Sequence, residues 1–279
     1  MKHFLLVALF SLSTFGAFSQ IFTKSEFGFM IGGSNYIGDI NPKYNFYGTN
    51  LMLGAIYRYN IDPRWTIRGS LLFGSLSAED AKYENIRNLS FQSKVNEISA
   101  TVEFNFFSYQ TGSRKHRITP YLFGGIGVFF INPKAKITNP LTYEEEIVEL
   151  KPLATEGQGL EGYETPYSLT QISIPFGLGV KFSLSNYICV GLEWGLRMTF
   201  TDYIDDVSTN YVNRQTLLDW SGELAVVASD RTNEIIPNKY NPEGSMRGNP
   251  QTKDWYQFFG VTLTTKLSFF NKKNKCITF

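Results

Sequence analysis

The 279-residue chain carries 26 Lys and Arg against 25 Asp and Glu, and setting aside Lys2 leaves 25 of each. So even a balance leaves no basic footprint for nucleic acid. The two cysteines and two histidines show no metal-ligand spacing, and beyond the N-terminal segment no stretch approaches the roughly 20 continuous apolar residues of a membrane helix.

The chain opens with Lys2, an apolar run from Phe4 to Phe18 broken by Ser and Thr, and the small residues Ala17 and Ser19. Residues 1–19 read as a cleavable secretory signal peptide, too short to span a membrane. The mature protein is then expected to run from Gln20 to Phe279 as one domain. No Cys follows the cleavage site, so no lipid anchor is implied.

Eight strands follow in order. The first covers about Glu26–Ile37, with Phe27, Phe29 and Ile31 on one face. The second, Asn50–Tyr59, puts Leu51, Leu53 and Tyr57 on one side and Met52 and Arg58 on the other. Asn60-Ile-Asp-Pro63 is a turn. The third is Arg64–Leu76, and the fourth, Val95–Phe107, sets Ile98, Val102 and Phe104 against Glu97, Ser99 and Glu103. The fifth, Ile118–Ile131, is rich in Phe and Gly. The sixth, Gln171–Leu184, and seventh, Ile188–Phe200, alternate without a break around Ser185-Asn-Tyr187. The eighth is Tyr256–Phe270. A period of two is the signature of a strand. These strands are about twice the usual 5–6 residues and match the roughly 9–11 needed to cross a bilayer.

The connections alternate in length. Residues 38–49, 77–94, 132–170 and 202–255 are long; 60–63 and 185–187 are short, and 108–117 is intermediate. The expected fold is therefore all-β: an eight-stranded antiparallel transmembrane β-barrel in the outer membrane, with long extracellular loops and short periplasmic turns. Its outer face would meet outer-membrane lipid.

Eight strands enclose a lumen that side chains can fill. The charges predicted to point inward are Arg58, Arg68, Glu97, Glu103, Lys181, Glu193, Arg197 and Lys266. They read as an ion-paired polar plug that replaces an apolar core. Catalysis has little support. The mature chain has a single histidine, His116, in the basic turn Ser113–Arg117, where it reads as a solvated residue. Asp202, Asp205 and Asp206 lack the Gly-punctuated spacing of a calcium loop and read as a solvated loop base, so no metal or cofactor is expected. Cys189 and Cys276 both fall at the periplasmic end and could pair in an oxidising compartment. Acid collects in the outer loops, as at Glu144–Glu164. The periplasmic side is basic, at Arg114, Lys115, Arg117, Lys272, Lys273 and Lys275, and offers a docking surface for a partner. The last long loop contains Leu217, Leu218, Trp220 and Leu224–Val227, too apolar for disorder, and is expected to fold over the barrel mouth or against a neighbour.

Several short strings carry a family resemblance: Tyr36-Ile-Gly-Asp39 with Asn41-Pro42, then Glu193-Trp-Gly-Leu-Arg197. Phe200-Thr-Asp-Tyr-Ile-Asp-Asp-Val-Ser208 with Tyr211 is the most specific. Arg247-Gly-Asn-Pro250 and Asp254-Trp-Tyr256 complete the set. Together they resemble the PorG-type outer-membrane protein of the type IX secretion system of Bacteroidetes, with Asp202, Tyr203, Asp205 and Asp206 forming the family-motif loop. The resemblance implies a non-enzymatic barrel in protein export, in some members linked to gliding motility. It implies as partners a periplasmic ring lipoprotein and its companion, of the PorK and PorN type. The alternative is a generic structural or adhesive barrel acting through its acidic extracellular loops; a lipid-modifying enzyme ranks behind both.

Overall fold

In-out alternation closes this chain into a barrel. A computed structural model of the protein describes residues 24–42, 46, 48–83 and 86–267. The expected signal peptide, Lys272, Lys273, Lys275 and Cys276 lie outside the described residues. Eight long strands form the wall: β1 (Ser25–Ile37), β2 (Asn50–Asn60), β3 (Trp65–Glu79), β4 (Ser90–Asn105) and β5 (Ile118–Ile131), then β8 (Thr170–Ser183), β9 (Ile188–Thr199) and β10 (Trp255–Lys266). Every neighbouring pair is antiparallel, and β1 pairs with β10 from Glu26↔Lys266 to Ile37↔Trp255, so the ring has no free edge.

The turns at one end follow from local chemistry. Asp62 Oδ1 accepts the backbone amides of Arg64 and Trp65 at 2.7 and 2.9 Å. Ser185 Oγ does the same for Tyr187 and Ile188. Such side-chain-to-backbone bonds reverse the chain without a long loop. By the rule that short turns face the periplasm, this is the periplasmic end.

At the other end the long connections are folded. Within 132–170, β6 (Lys134–Thr138) and β7 (Glu145–Glu149) form a hairpin that extends β4 through Gln92↔Lys134. In the sequence, 132–170 reads only as one long connection. The hairpin escaped because each strand has only five residues and Glu145-Glu-Ile-Val-Glu149 lacks the apolar–polar alternation of a strand. Within 202–255, the apolar run noted above forms two short helices, α1 (Arg214–Ser221) and α2 (Glu223–Ser229). Asn213 caps α1, accepting from the amides of Gln215 and Thr216.

The distribution of side chains is inverted relative to a soluble protein. Phe29, Ile126 and Leu192 on the outer wall are 63 %, 68 % and 63 % exposed, whereas Arg58 and Glu103 inside are 0 % exposed. That pattern stabilises a barrel only where lipid surrounds it. Inside, the lower half is charged and the upper half is apolar. Met52, Leu72, Leu76, Val95, Phe129 and Phe258 fill the upper lumen, and the same cluster continues into the extracellular loops through Leu150, Ile204 and Val207. Barrel and cap thus share one core.

Candidate functional site

The lumen is sealed by ion pairs. Glu103 Oε1 accepts from Arg58 Nε at 3.0 Å and from Arg68 Nη1 at 3.1 Å, while its Oε2 takes Lys181 Nζ. Arg68 also reaches Glu193, which accepts the Tyr121 hydroxyl as well. Higher up, Glu97 Oε2 accepts from Arg197 Nε at 3.1 Å and Tyr256 Oη at 2.8 Å. Arg68 and Arg197 also cover the rings of Phe123 and Phe258 at 4.5 and 4.6 Å. Seven of the eight predicted inward charges are therefore gathered here.

Lys266 is the exception. It lies at the periplasmic rim, half-buried and outside the ion-paired set, because β10 reaches the end of the wall there. Glu26 belongs to the plug instead: it is 1 % exposed and accepts from Asn60, Thr111 and Thr264. At the first inward position of its strand, it had no preceding alternation to mark it. The plug then holds four cations against four carboxylates, as burial of charge requires. Thr111 comes from the 106–117 turn, which folds back over the periplasmic end. All eight charged side chains of the plug are buried.

The second assembly is an extracellular cap, built from the strings that carried the family resemblance. Tyr36 at the top of β1 places its hydroxyl oxygen 2.5 Å from Asp205 Oδ2 and 2.6 Å from Asp254 Oδ1. The other oxygens of these acids take the amides of Val207 and Ile204, each at 2.9 Å. Gly38 is obligatory at this point: a Cβ there would come within 2.0 Å of both Asp254 Oδ1 and Tyr36 Oη. Asp206, in the left-handed region at φ 66°, points the other way. It accepts from Thr155 at 2.5 Å and from Tyr167 at 2.7 Å.

Arg247 ties the layers together. Its Nη1 donates to Glu156 Oε1 at 2.9 Å and to the Asp206 carbonyl at 2.6 Å, and its Nε to the Ser229 carbonyl at 3.0 Å. Arg87 chelates Asp80 at 2.8 and 3.0 Å and also donates to the carbonyls of Asp39 and Arg247. The cap is acid-rich, with two guanidinium groups, Arg247 buried and Arg87 partly buried, among seven carboxylates: Asp39, Asp80, Glu156, Asp202, Asp205, Asp206 and Asp254. Burial pushes Asp202 and Asp206 up to about 6, the latter despite Arg247. Burial holds Asp205 and Asp254 well above the usual carboxylate range, helped by repulsion from Asp254 in the first case and from Asp202 in the second.

The sequence reading placed Asp202, Asp205 and Asp206 at a solvated loop base. They are instead 3 %, 1 % and 0 % exposed. Ile204 between them and Val207 just after them enter the core, pulling the acids inward. Tyr203 remains half-buried and stacks on Tyr167 with ring centroids 4.8 Å apart. Asp80, Arg87 and Glu156 were missed, since none has a distinguishing local pattern and Glu156 lay in a run read as generally acidic. Among the described residues, no group of three His, Cys, Asp or Glu side chains is arranged to hold a metal ion. On the periplasmic side Arg114, Lys115, His116 and Arg117 are exposed on the turn, and Cys189 is buried in the lumen as a free thiol.

With the barrel and its cap described, comparison with known proteins places the chain. A family model described as a domain of unknown function (DUF6089) matches residues 2–151. The chain belongs to this family. Among curated proteins no sequence matches it. Several solved structures are similar to this DUF6089 protein. Ail, the attachment invasion locus protein of Yersinia pestis, solved with the heparin analogue sucrose octasulfate, is 11 % identical at a TM-score of 0.38; the match covers 87 % of this chain and 98 % of that one. Neisserial surface protein A is 9 % identical at a TM-score of 0.41, covering 87 % and 97 %. The outer membrane protein OprG of Pseudomonas aeruginosa is 9 % identical at 0.34, covering 88 % and 98 %.

Proposed function

We propose that this DUF6089 barrel is a non-enzymatic outer-membrane component of the type IX protein secretion system of Bacteroidetes, a role that in some members of the resembled family is linked to gliding motility. In this reading it ties the periplasmic ring, a lipoprotein and its companion of the PorK and PorN type, to the outer membrane. The observation that carries the reading is the convergence of the resemblance strings. Tyr36–Asp39, Asp202–Ser208, Arg247–Asn249 and Asp254 are spread along the whole chain, yet they build one buried cap. A sealed lumen leaves only the surfaces of the barrel to act. The exposed basic turn with Arg114, Lys115 and Arg117 supplies a periplasmic docking surface with charge for an acidic partner.

The test is a tagged pull-down from detergent-solubilised outer membranes, with the captured proteins identified by mass spectrometry. The reading expects the ring lipoprotein and its companion, and their loss when Arg114 and Lys115 are changed to Glu. Capture of neither, in a species that still exports its cargo after the gene is deleted, would refute it.

A further inference from the structure

On the outside of the barrel, where β9, β10 and β1 approach the extracellular edge, a groove of about 760 Å³ opens sideways. That size falls within the roughly 300–1,000 Å³ of small-molecule sites. Its walls are Trp194 and Leu196 of β9, Trp255 and Gln257 of β10, and Ile37 of β1. Trp194 Nε1 donates to Gln257 Oε1 at 2.8 Å. Gln257 Nε2 donates in turn to Asn35 Oδ1 at 3.4 Å, so both polar groups of Gln257 are engaged, and hydrocarbon and indole faces are left for an occupant.

Position says what that occupant is. Leu192 and Val261 lie just below the groove and are 63 % and 41 % exposed on the lipid-facing wall. Beside it, Phe200 just past the end of β9 is 60 % exposed and Ile172 of β8 is 58 % exposed, so the apolar wall rises past the groove. The groove is therefore continuous with the lipid-facing surface, in its extracellular half. Two tryptophans at this height match the aromatic belt that lines membrane interfaces. At the upper rim stands Lys253, exposed, with one ammonium hydrogen directed to the Pro250 carbonyl at 3.3 Å and two left for an anion. Asp39, also on the rim, has Oδ2 occupied by the Asn249 amide at 2.6 Å, and burial raises its pKa, which weakens any repulsion.

We propose that this groove binds one acyl chain of an outer-leaflet lipopolysaccharide, with a lipid A phosphate against Lys253. The lipid is held as a fixed companion of the barrel rather than exchanging with its neighbours. It goes beyond the secretion reading and does not depend on it.

The test uses the full chain, refolded free of lipid in a zwitterionic detergent and titrated with purified diphosphorylated lipid A under native mass spectrometry. One lipid A is expected to remain bound per protein. Lys253→Gln is expected to weaken binding about five-fold, the loss of roughly 1 kcal/mol for one lysine at a charged lipid surface. Leu196→Trp, which fills the groove with another apolar side chain, is expected to abolish the retained copy while unheated gel mobility reports an intact barrel. As a second readout, a variant keeping only Trp255 is expected to be quenched by acyl-brominated lipid A at a lower lipid fraction than one keeping only Trp65. The proposal is overturned if no lipid is retained, if Leu196→Trp binds as the unmodified protein does, or if phosphatidylethanolamine binds as tightly as lipid A. An unquenched Trp255 beside a quenched Trp65 would overturn it too, leaving the groove to a protein partner.

Discussion

Raising the pH is expected to loosen the extracellular cap. The Tyr36 hydroxyl carries one hydrogen, yet its oxygen sits 2.5 and 2.6 Å from two carboxylates. Both contacts can be hydrogen bonds only if one acid keeps a proton and donates it. Asp206 adds a magnitude: burial raises it from 3.8 to about 6. At 1.36 kcal/mol per unit, this shift corresponds to about 3 kcal/mol. The sign follows from proton counts. Between pH 4 and pH 6 the closed cap binds more protons than the open one, so closure is stabilised below pH 4 and that stability is lost as pH rises through 6. Asp205 and Asp254 extend the loss to higher pH. A change of about 3 kcal/mol is about two orders of magnitude in the opening equilibrium. The assay is amide hydrogen exchange of peptides spanning 201–213 and 246–254 from pH 4 to pH 8, corrected for the intrinsic pH dependence. Protection is expected to fall steadily across this range, and Asp206→Asn is expected to shrink the part between pH 4 and 6, with Asp202 supplying what remains. Protection that is flat or rises with pH, or an Asp206→Asn profile identical to that of the unmodified protein, would refute the reasoning.

Other outcomes follow from single contacts. Glu103→Gln leaves Arg58, Arg68 and Lys181 without their shared anion and should cost about 3–5 kcal/mol, read as a lower urea midpoint of the fast-migrating folded band on unheated gels. Arg247→Met strands Glu156 beside Asp206; the 201–213 segment should then be cut by added protease while the barrel survives. Gly38→Ala forces a methyl into Tyr36 and Asp254, so it should open the cap as Arg247→Met does, whereas alanine at Gly162, with no neighbour within 4 Å of its added Cβ but a left-handed φ of 87°, should show only a local effect.

Much of the wall could be read from residues. The strands of β8 and β9 were legible because lipid outside and polar groups inside impose a period of two without interruption. The inward charges of the plug were legible for the same reason, as each takes its face from the strand around it. Glu26 and Lys266 fell at strand ends, where alternation has nothing to extend. The cap was legible only as scattered strings. Asp205 and Asp206 are adjacent in sequence but face opposite partners, Tyr36 and Tyr167, and nothing periodic announces that. Their burial is set by contacts far along the chain: Tyr36 with Asp205 at a separation of 169 residues, and Thr155 with Asp206 at 51. Glu156 and Arg87 are positioned in the same nonlocal way, so local pattern could not single them out.

The central claim is that this barrel is solid, sealed by a charge plug below and a buried cap above, and works through its surfaces. Single-channel recording of the refolded protein in a planar bilayer tests this most directly. The account predicts no discrete conductance steps at neutral pH, with steps appearing only when Glu103→Gln breaks the plug and Arg247→Met opens the cap together. Stable conductance from the unmodified protein would contradict it.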